Sequence, residues 1–504
     1  MINIEIPINT EPFSKRQFIM AKLKQWVVLE KMYNLFGFTV FTLLSSVFAY
    51  LIVLKGFPFG VTIIGGLVAP VALYAIAINP HIAIFCYLTL ANTIMFLLLI
   101  GVNFPLGTVM DGMLLLLIIN FYVQQKKKKR WDLVSGPMSK AILAWIVYNM
   151  LEVGNPIAAS RLAWVYTIRT CGVVALSYYM FIFNIRTKEF MRTIIALWMF
   201  FCFVAAWYAF KQEFFGFFQF EENYLHSSAL IMQLLFIAGH WRKFSIYSDP
   251  VTFAYNMVAA AVFSIGRLTG PVTAKRKFWL ILLIFSCLFN MLFSGTRGAF
   301  PLVPVALILY AIIKFSKKIL IFTIIAAIFI VGLIFVPTAN QNILRFQSAF
   351  RPNEDASYKV RKYNQSRIKP YIWTHPMGGG LGSTGEWGKK YSPGTYLADF
   401  PPDSGYVRTT VETGFIGLTI FVIMIFTILK TGVNNYYKIK DPELKAICLG
   451  STFVIFTFNI GNFPQEAIVQ FPSNVHFYIA AALIVLTKRI DDQQNQLVHE
   501  QNII

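Results

Sequence analysis

Stretches of about twenty apolar residues, each closed by a short polar break, recur from Phe36 to Thr487. A helix needs about 20 such residues to cross a ~30 Å hydrocarbon layer. In lipid it also satisfies its own backbone N–H and C=O groups, which an open strand cannot. The pattern therefore predicts an all-α, polytopic transmembrane helical bundle. Hydropathy places spans near 36–54, 58–78, 81–101, 105–123, 138–153, 160–184, 189–210, 251–266, 278–295, 299–313, 319–336, 405–429, 444–462 and 470–487, about 12–14 in all because 138–153 and 299–313 are the weakest. Composition agrees: 13% of residues are charged, against about 25% in soluble domains. The polar, basic start from Met1 to Lys31 has no apolar run ending in small residues, so no cleaved signal is expected.

The formal net charge of +21 would suggest nucleic acid in a soluble protein, but no basic helix with interleaved aromatics and no zinc spacing accompanies it. Its distribution fits a membrane topology. With the basic N-terminus inside, every even-numbered span should exit into a cytoplasmic loop, and those loops contain Lys126–Arg130, Arg186/Lys188/Arg192, Arg267/Lys275/Arg276/Lys277, Lys314/Lys317/Lys318, Lys430/Lys438/Lys440 and Lys488-Arg489. The short loops on the other side carry only Lys55 and Glu466. Both termini are thus expected in the cytoplasm. The chain divides into a cytoplasmic segment (1–35), a first membrane part (36–336), a large, partly helical outer loop (337–404), a second membrane part (405–487) and a cytoplasmic tail (488–504). The cytoplasmic loops are too short for a nucleotide-binding domain, which needs about 100 residues, so chemistry is expected outside, away from nucleotides. A second outer segment, 211–250, holds an apolar stretch from Ser228 to Gly239 suited to the interface or to re-entry. The five cysteines all fall in spans without metal-ligand spacing and read as packing residues.

The large loop carries nine basic and five acidic residues, on the face where the topology rule expects no such bias. Most of its lysines read as solvated charge. Arg361 and Arg367 stand apart because a helix is predicted over 356–368, stopping at Lys369-Pro370, and an arginine fork suits phosphate oxygens. The run from Thr374 through His375 to Gly385 is rich in glycine, which serves equally as a turn or as an anion nest. It is no nucleotide fingerprint, since no strand precedes it and no P-loop lysine follows. Asp403, Tyr406, Arg408 and Glu412 then lead into the span at 405–429, where ionisable groups are costly and mark function. Arg408 and Glu412 are spaced for an ion pair. Asp403 has no local partner and suits a general base. Arg297 lies between two spans among small residues, and Arg242 precedes the span at 251–266. Arg161 sits near an outer span end, within snorkelling reach, and Arg169 lies deeper. Such arginines, gathered at one outer-leaflet cavity, would receive a lipid-linked pyrophosphate.

Three stretches taken in order carry a resemblance: Ser294-Gly295-Thr296-Arg297-Gly298-Ala299; the loop with Ser357, Arg361 and His375-Pro376-Met377-Gly378-Gly379-Gly380; and Asp403-Ser404-Gly405-Tyr406 followed by Val411–Gly417. Together they resemble the O-antigen ligase and O-antigen polymerase family of bacterial envelope glycosyltransferases, best from about 242 to 417. The resemblance implies a C-type glycosyltransferase in the bacterial inner membrane. It would move a glycan from undecaprenyl pyrophosphate to an acceptor sugar hydroxyl at the periplasmic face, without metal or other cofactor. The acceptor is a lipid A–core glycan for ligases and another lipid-linked repeat unit for polymerases, while other relatives glycosylate protein. Asp403 stands where family members often carry the histidine proposed as base, with His375 as a substitute; the arginines would neutralise the leaving group, and Tyr406 would stack on a sugar. The rival class is a flippase of lipid-linked oligosaccharides. Such transporters usually show two related halves, and no internal repeat is visible.

Overall fold

The computed structural model describes residues 35–55, 60, 79–102, 104–128, 134–237, 239–315 and 356–501, with scattered positions between 317 and 350. The span read at 58–78 apart from residue 60, half of that at 319–336, and the basic N-terminal segment lie outside the described residues. By contacts the chain divides into two compact units, Met1–Tyr74 and Ala75–Ile504. In the first, α1 (Leu35–Lys55) is apolar and largely exposed. Its Thr42, Ser45 and Ser46 hydroxyls donate to carbonyls one turn back at 2.7–2.8 Å, so these three are satisfied on a surface suited to lipid.

In the second unit the spans appear as α2 (Pro80–Leu99), α3 (Leu106–Lys128), α4 (Pro137–Leu151), α5 (Arg161–Ile168), α6 (Leu176–Asn184) and α7 (Lys188–Phe214). Two short helices follow, α8 (Gln219–Leu225) and α9 (Ala229–Leu235), then a hairpin of β1 (Phe236–Ile237) and β2 (His240–Trp241). The membrane helices resume with α10 (Pro250–Arg267), α11 (Ala274–Met291) and α12 (Leu302–Ile313). The large loop forms α13 (Ala356–Thr374) and α14 (Gly385–Tyr391), and α15 (Gly405–Lys438), α16 (Pro442–Gly461) and α17 (Ser473–Gln501) complete the chain. Eight of the described helices are long and apolar enough to cross a membrane. The chain is an all-α, multi-pass helical membrane protein. The apolar stretch in the second outer segment forms α9 and one arm of the hairpin, too short to span.

α10, α16 and α17 form the centre, buried around nearly their whole circumference in the membrane part. Small residues allow this: Gly266 faces Gly450 so closely that a Cβ on Gly266 would lie 2.3 Å from the Gly450 Cα. α10 starts where Asp249 accepts hydrogen bonds from the N–H groups of Val251 (2.8 Å) and Thr252 (2.9 Å), with Pro250 in the first turn. α15 packs on α4 and α16, and α6 on α17.

The polar connections separate into two ends. At one, Lys188 meets Asp441 at 2.6 Å, Arg192 and Arg267 meet Glu443 at 2.5 and 3.2 Å, and Arg489 donates to the Ile185 carbonyl at 2.8 Å. These residues come from loops that the charge pattern assigns to the same side. At the other end sit α13, α14 and the segment around Arg242 and Arg297.

The helix read over 356–368 continues through Pro370 to Thr374. Proline removes one backbone hydrogen bond, a cost of about 3 kcal/mol, but Ile368, Tyr371 and Ile372 on this stretch pack on Leu397, Phe400, Val407 and Val411. Tertiary burial overrides the local stop signal.

Candidate functional site

α15 is broken near its start. Gly414 has φ 69° and ψ −171°, a conformation open essentially to glycine alone. The break strands carbonyls that the helix would otherwise satisfy. Val411 O accepts from Gly379 N at 2.8 Å, Glu412 O from Gly380 N at 2.9 Å and Thr413 O from the Tyr148 hydroxyl at 2.7 Å, while Phe415 N donates to Pro376 O at 2.9 Å. A Cβ on Gly414 would lie 2.1 Å from the Pro376 oxygen, and one on Gly378 would lie 2.5 Å from the Glu412 oxygen. Gly378 N is itself bonded to the His375 carbonyl at 2.9 Å. The start of the glycine run is therefore a dock for the broken helix: the N–H groups of Gly378, Gly379 and Gly380 are committed to backbone carbonyls and do not form an anion nest.

Docking the loop this way closes one wall of a cleft of about 590 Å³. Asp403, Arg408, Glu386 and Trp387 line it from the large loop and α15, and Glu466 lines it from the connection between α16 and α17. Arg408, its side chain 14% exposed, pairs with Glu412 (3.1 Å) and with Glu466 (2.6 Å). Thr384 donates to the same Glu412 oxygen at 2.5 Å. One arginine between two carboxylates leaves the trio net negative. Burial raises the Glu466 pKa; Arg408 opposes the rise, and Glu412 and Asp403 add to it. Asp403 is half-buried on the wall. Its Oδ2 accepts from Asn364 Nδ2 at 3.3 Å, and Oδ1 has no hydrogen-bond partner among the described residues.

Positive charge gathers beside this cleft. Arg297 sits in a 3-10 turn, Arg297–Ala299, half-buried. Arg242 clips that turn in place: Nε donates to Ser294 O (2.8 Å), Nη2 to Thr296 Oγ1 (3.1 Å) and Nη1 to Leu234 O (3.3 Å), and Leu234 lines the cleft. Arg361 stands one turn before Asn364, on the same face of α13. It lies within electrostatic reach of Tyr255, whose hydroxyl would be 3.0 Å from a Cβ on Gly298, the neighbour of Arg297. Arg242 thus touches the cleft through Leu234, and Arg361 shares a helix face with Asn364, the partner of Asp403, while none of the three arginines is itself among the lining residues.

Other sequence candidates fall elsewhere. Arg169 opens a π-turn (Arg169–Val173) and pairs with Asp111 of α3 at 2.6 Å, and neither lines the cleft. Arg161 is exposed at the start of α5. Arg367 is exposed on α13, with its guanidinium 6.0 Å from the Tyr396 ring. His375 stacks on Tyr371 with ring centroids 3.9 Å apart and is not among the cleft-lining residues. Tyr406 packs inward, its hydroxyl donating to Asn459 and its ring 4.5 Å from that of Phe463. Glu466 and Asn364 were not singled out from the sequence. For Glu466 a signal existed, as the only acid in the short outer loops.

Residues 280–422 match the family model described as O-antigen ligase. The match covers less than a third of the chain, so it is a likeness of this stretch to that family. No curated protein matches the chain. The matched region runs from within α11 to the middle of α15 and contains Arg297, Arg361, Asp403, Arg408 and Glu412, while Arg242, Arg169 and Glu466 lie outside it. The likeness supports a membrane enzyme of the glycan-transferring type.

Proposed function

We propose that this protein transfers a glycan from undecaprenyl pyrophosphate to an acceptor sugar hydroxyl at the periplasmic face of a bacterial inner membrane, with both termini in the cytoplasm. What supports this reading is Asp403, whose Oδ1 has no hydrogen-bond partner among the described residues, on the wall of an acidic cleft that Arg242 reaches through Leu234. Hydroxyl-rich acceptors suit the acidic side, where carboxylates accept hydrogen bonds. A pyrophosphate suits Arg297 and Arg361, with Arg242 holding the Arg297 turn. Asp403 takes the proton of the acceptor hydroxyl as its oxygen attacks the anomeric carbon. The bond from that carbon to the pyrophosphate oxygen breaks, and undecaprenyl pyrophosphate leaves carrying the electron pair. The arginines stabilise the charge that develops there.

The test is in-vitro transfer by purified protein supplied with lipid-linked donor and acceptor. Asp403→Asn is expected to cost about 10²–10⁴-fold in turnover as loss of a general base, and Arg297→Ala about 10²–10³-fold as loss of an electrostatic donor, with membrane insertion unchanged. Wild-type turnover in both variants would remove these roles. A protein that moves lipid-linked oligosaccharide between leaflets of a vesicle without forming a new glycosidic bond would be a flippase instead. The acceptor is read from a deletion strain: loss of all capped lipopolysaccharide marks a ligase, and single-unit caps mark a polymerase.

A further inference from the structure

At the end opposite the cleft, α7, α10 and α11 enclose an open groove of about 440 Å³. Its floor and walls are apolar, formed by residues such as Met199, Phe263, Leu280 and Leu283, and its mouth carries Arg192, Arg267 and Arg276. No acidic residue lines it. Arg192 gives Nε and Nη2 to Glu443 at 3.0 and 2.5 Å, and Arg267 gives Nη1 and Nη2 to the Glu443 carbonyl and carboxylate at 3.3 and 3.2 Å. Each guanidinium has five N–H donors, so both retain further donors. Glu443 is also shared with Lys188 at 3.2 Å, and Lys188 takes Asp441 as well. Four cations (Lys188, Arg192, Arg267 and Arg276) therefore face three carboxylates, Asp441, Glu443 and, within electrostatic reach of Arg192, Glu189. Arg276 is exposed, has no ion-pair partner among the described residues, and lies within electrostatic reach of Arg267, which it repels.

We propose that this groove binds an anionic phospholipid, its phosphate held at the arginine mouth and an acyl chain laid along the apolar wall. Charge complementarity selects the occupant: a net cationic mouth, with Arg276 outside any ion pair among the described residues, directly above an apolar trough matches a molecule that is anionic at one end and hydrocarbon at the other. Basic pockets between membrane helices favour such headgroups. A soluble phosphate would satisfy the mouth but leave the trough, with Trp279 on its exposed rim, without a partner. The site is far from the transfer cleft in the fold and does not depend on the proposed reaction.

The test is lipid binding by the full-length protein in detergent, followed by native mass spectrometry with phosphatidylglycerol and phosphatidylcholine in equal amounts. Wild type is expected to retain phosphatidylglycerol preferentially. Arg276→Gln, at an exposed position that tolerates change, should weaken that preference about fivefold, while Lys277→Gln, exposed next to it but outside the groove lining, should not. Equal retention of the two lipids, an unchanged preference in Arg276→Gln, or displacement of phosphatidylglycerol by millimolar inorganic phosphate would each overturn the proposal.

Discussion

At the residue scale, the two ends of the bundle handle buried charge differently. Around Arg408 one cation serves two carboxylates, which leaves the cleft acidic, and burial, reinforced by Glu412 and Asp403, raises the Glu466 pKa against the pull of Arg408. Around Asp441 cations dominate. Partial burial pushes its carboxyl up, but the Lys188 ammonium and the N–H groups of Leu444 and Glu443 outweigh that and hold it below the ordinary carboxylate value. A depressed acid contributes stability above its ordinary pKa, and that contribution fades as pH falls through the folded value. Asp441→Asn keeps a helix-capping oxygen but loses the charge. It is therefore expected to melt below wild type at neutral pH, with the gap closing as pH drops under about 4. Thermal unfolding in detergent from neutral to acid pH measures this, and a gap that stays constant would show that the carboxylate's charge is irrelevant there.

At the element scale, the decisive piece is the interrupted start of α15. Read along the chain, Val411–Gly417 is simply the entry to a span, and the glycines near 378 are a turn. Folded together, each explains the other: the helix breaks at Gly414, and the run at 378–380 supplies N–H groups to the carbonyls the break exposes. Gly414→Ala adds a Cβ that would collide with the Pro376 oxygen and forces a side chain into a backbone region costing about 1–3 kcal/mol. The expected result is a loop released from α15, cut faster by protease at 375–404, and a loss of transfer with the membrane helices still inserted. Unchanged cleavage and activity would mean that the dock is not needed. The same reasoning explains why α13 outruns its sequence stop at Pro370. A run of apolar side chains facing Leu397 and Phe400 is visible only once the loop has folded back on itself.

At the scale of the whole molecule, hydropathy and lysine/arginine bias divide the loops into two sets, and the fold gathers residues of each set at its own end. Placing the α13–α14 end in the periplasm makes a direct prediction. A single cysteine at Lys389, exposed on α14, introduced after replacing the five native cysteines, should react with a membrane-impermeant maleimide in intact spheroplasts. One at Lys277, exposed at the other end, should react only after permeabilisation. The reverse pattern would place the cleft in the cytosol and remove the proposed donor from reach. Asp403 and Arg408, singled out in the sequence, do line the cleft, and the all-α, multi-pass character was legible there, because membrane crossing is a property of local composition. Convergence was not. Glu466 meets Arg408 across 58 residues and Arg242 reaches Thr296 across 54, whereas Arg169 is drawn away from the cleft to Asp111. Which charges meet is decided by helix packing between distant segments, where a buried ion must find whatever counter-charge the tertiary contacts bring within a few ångströms.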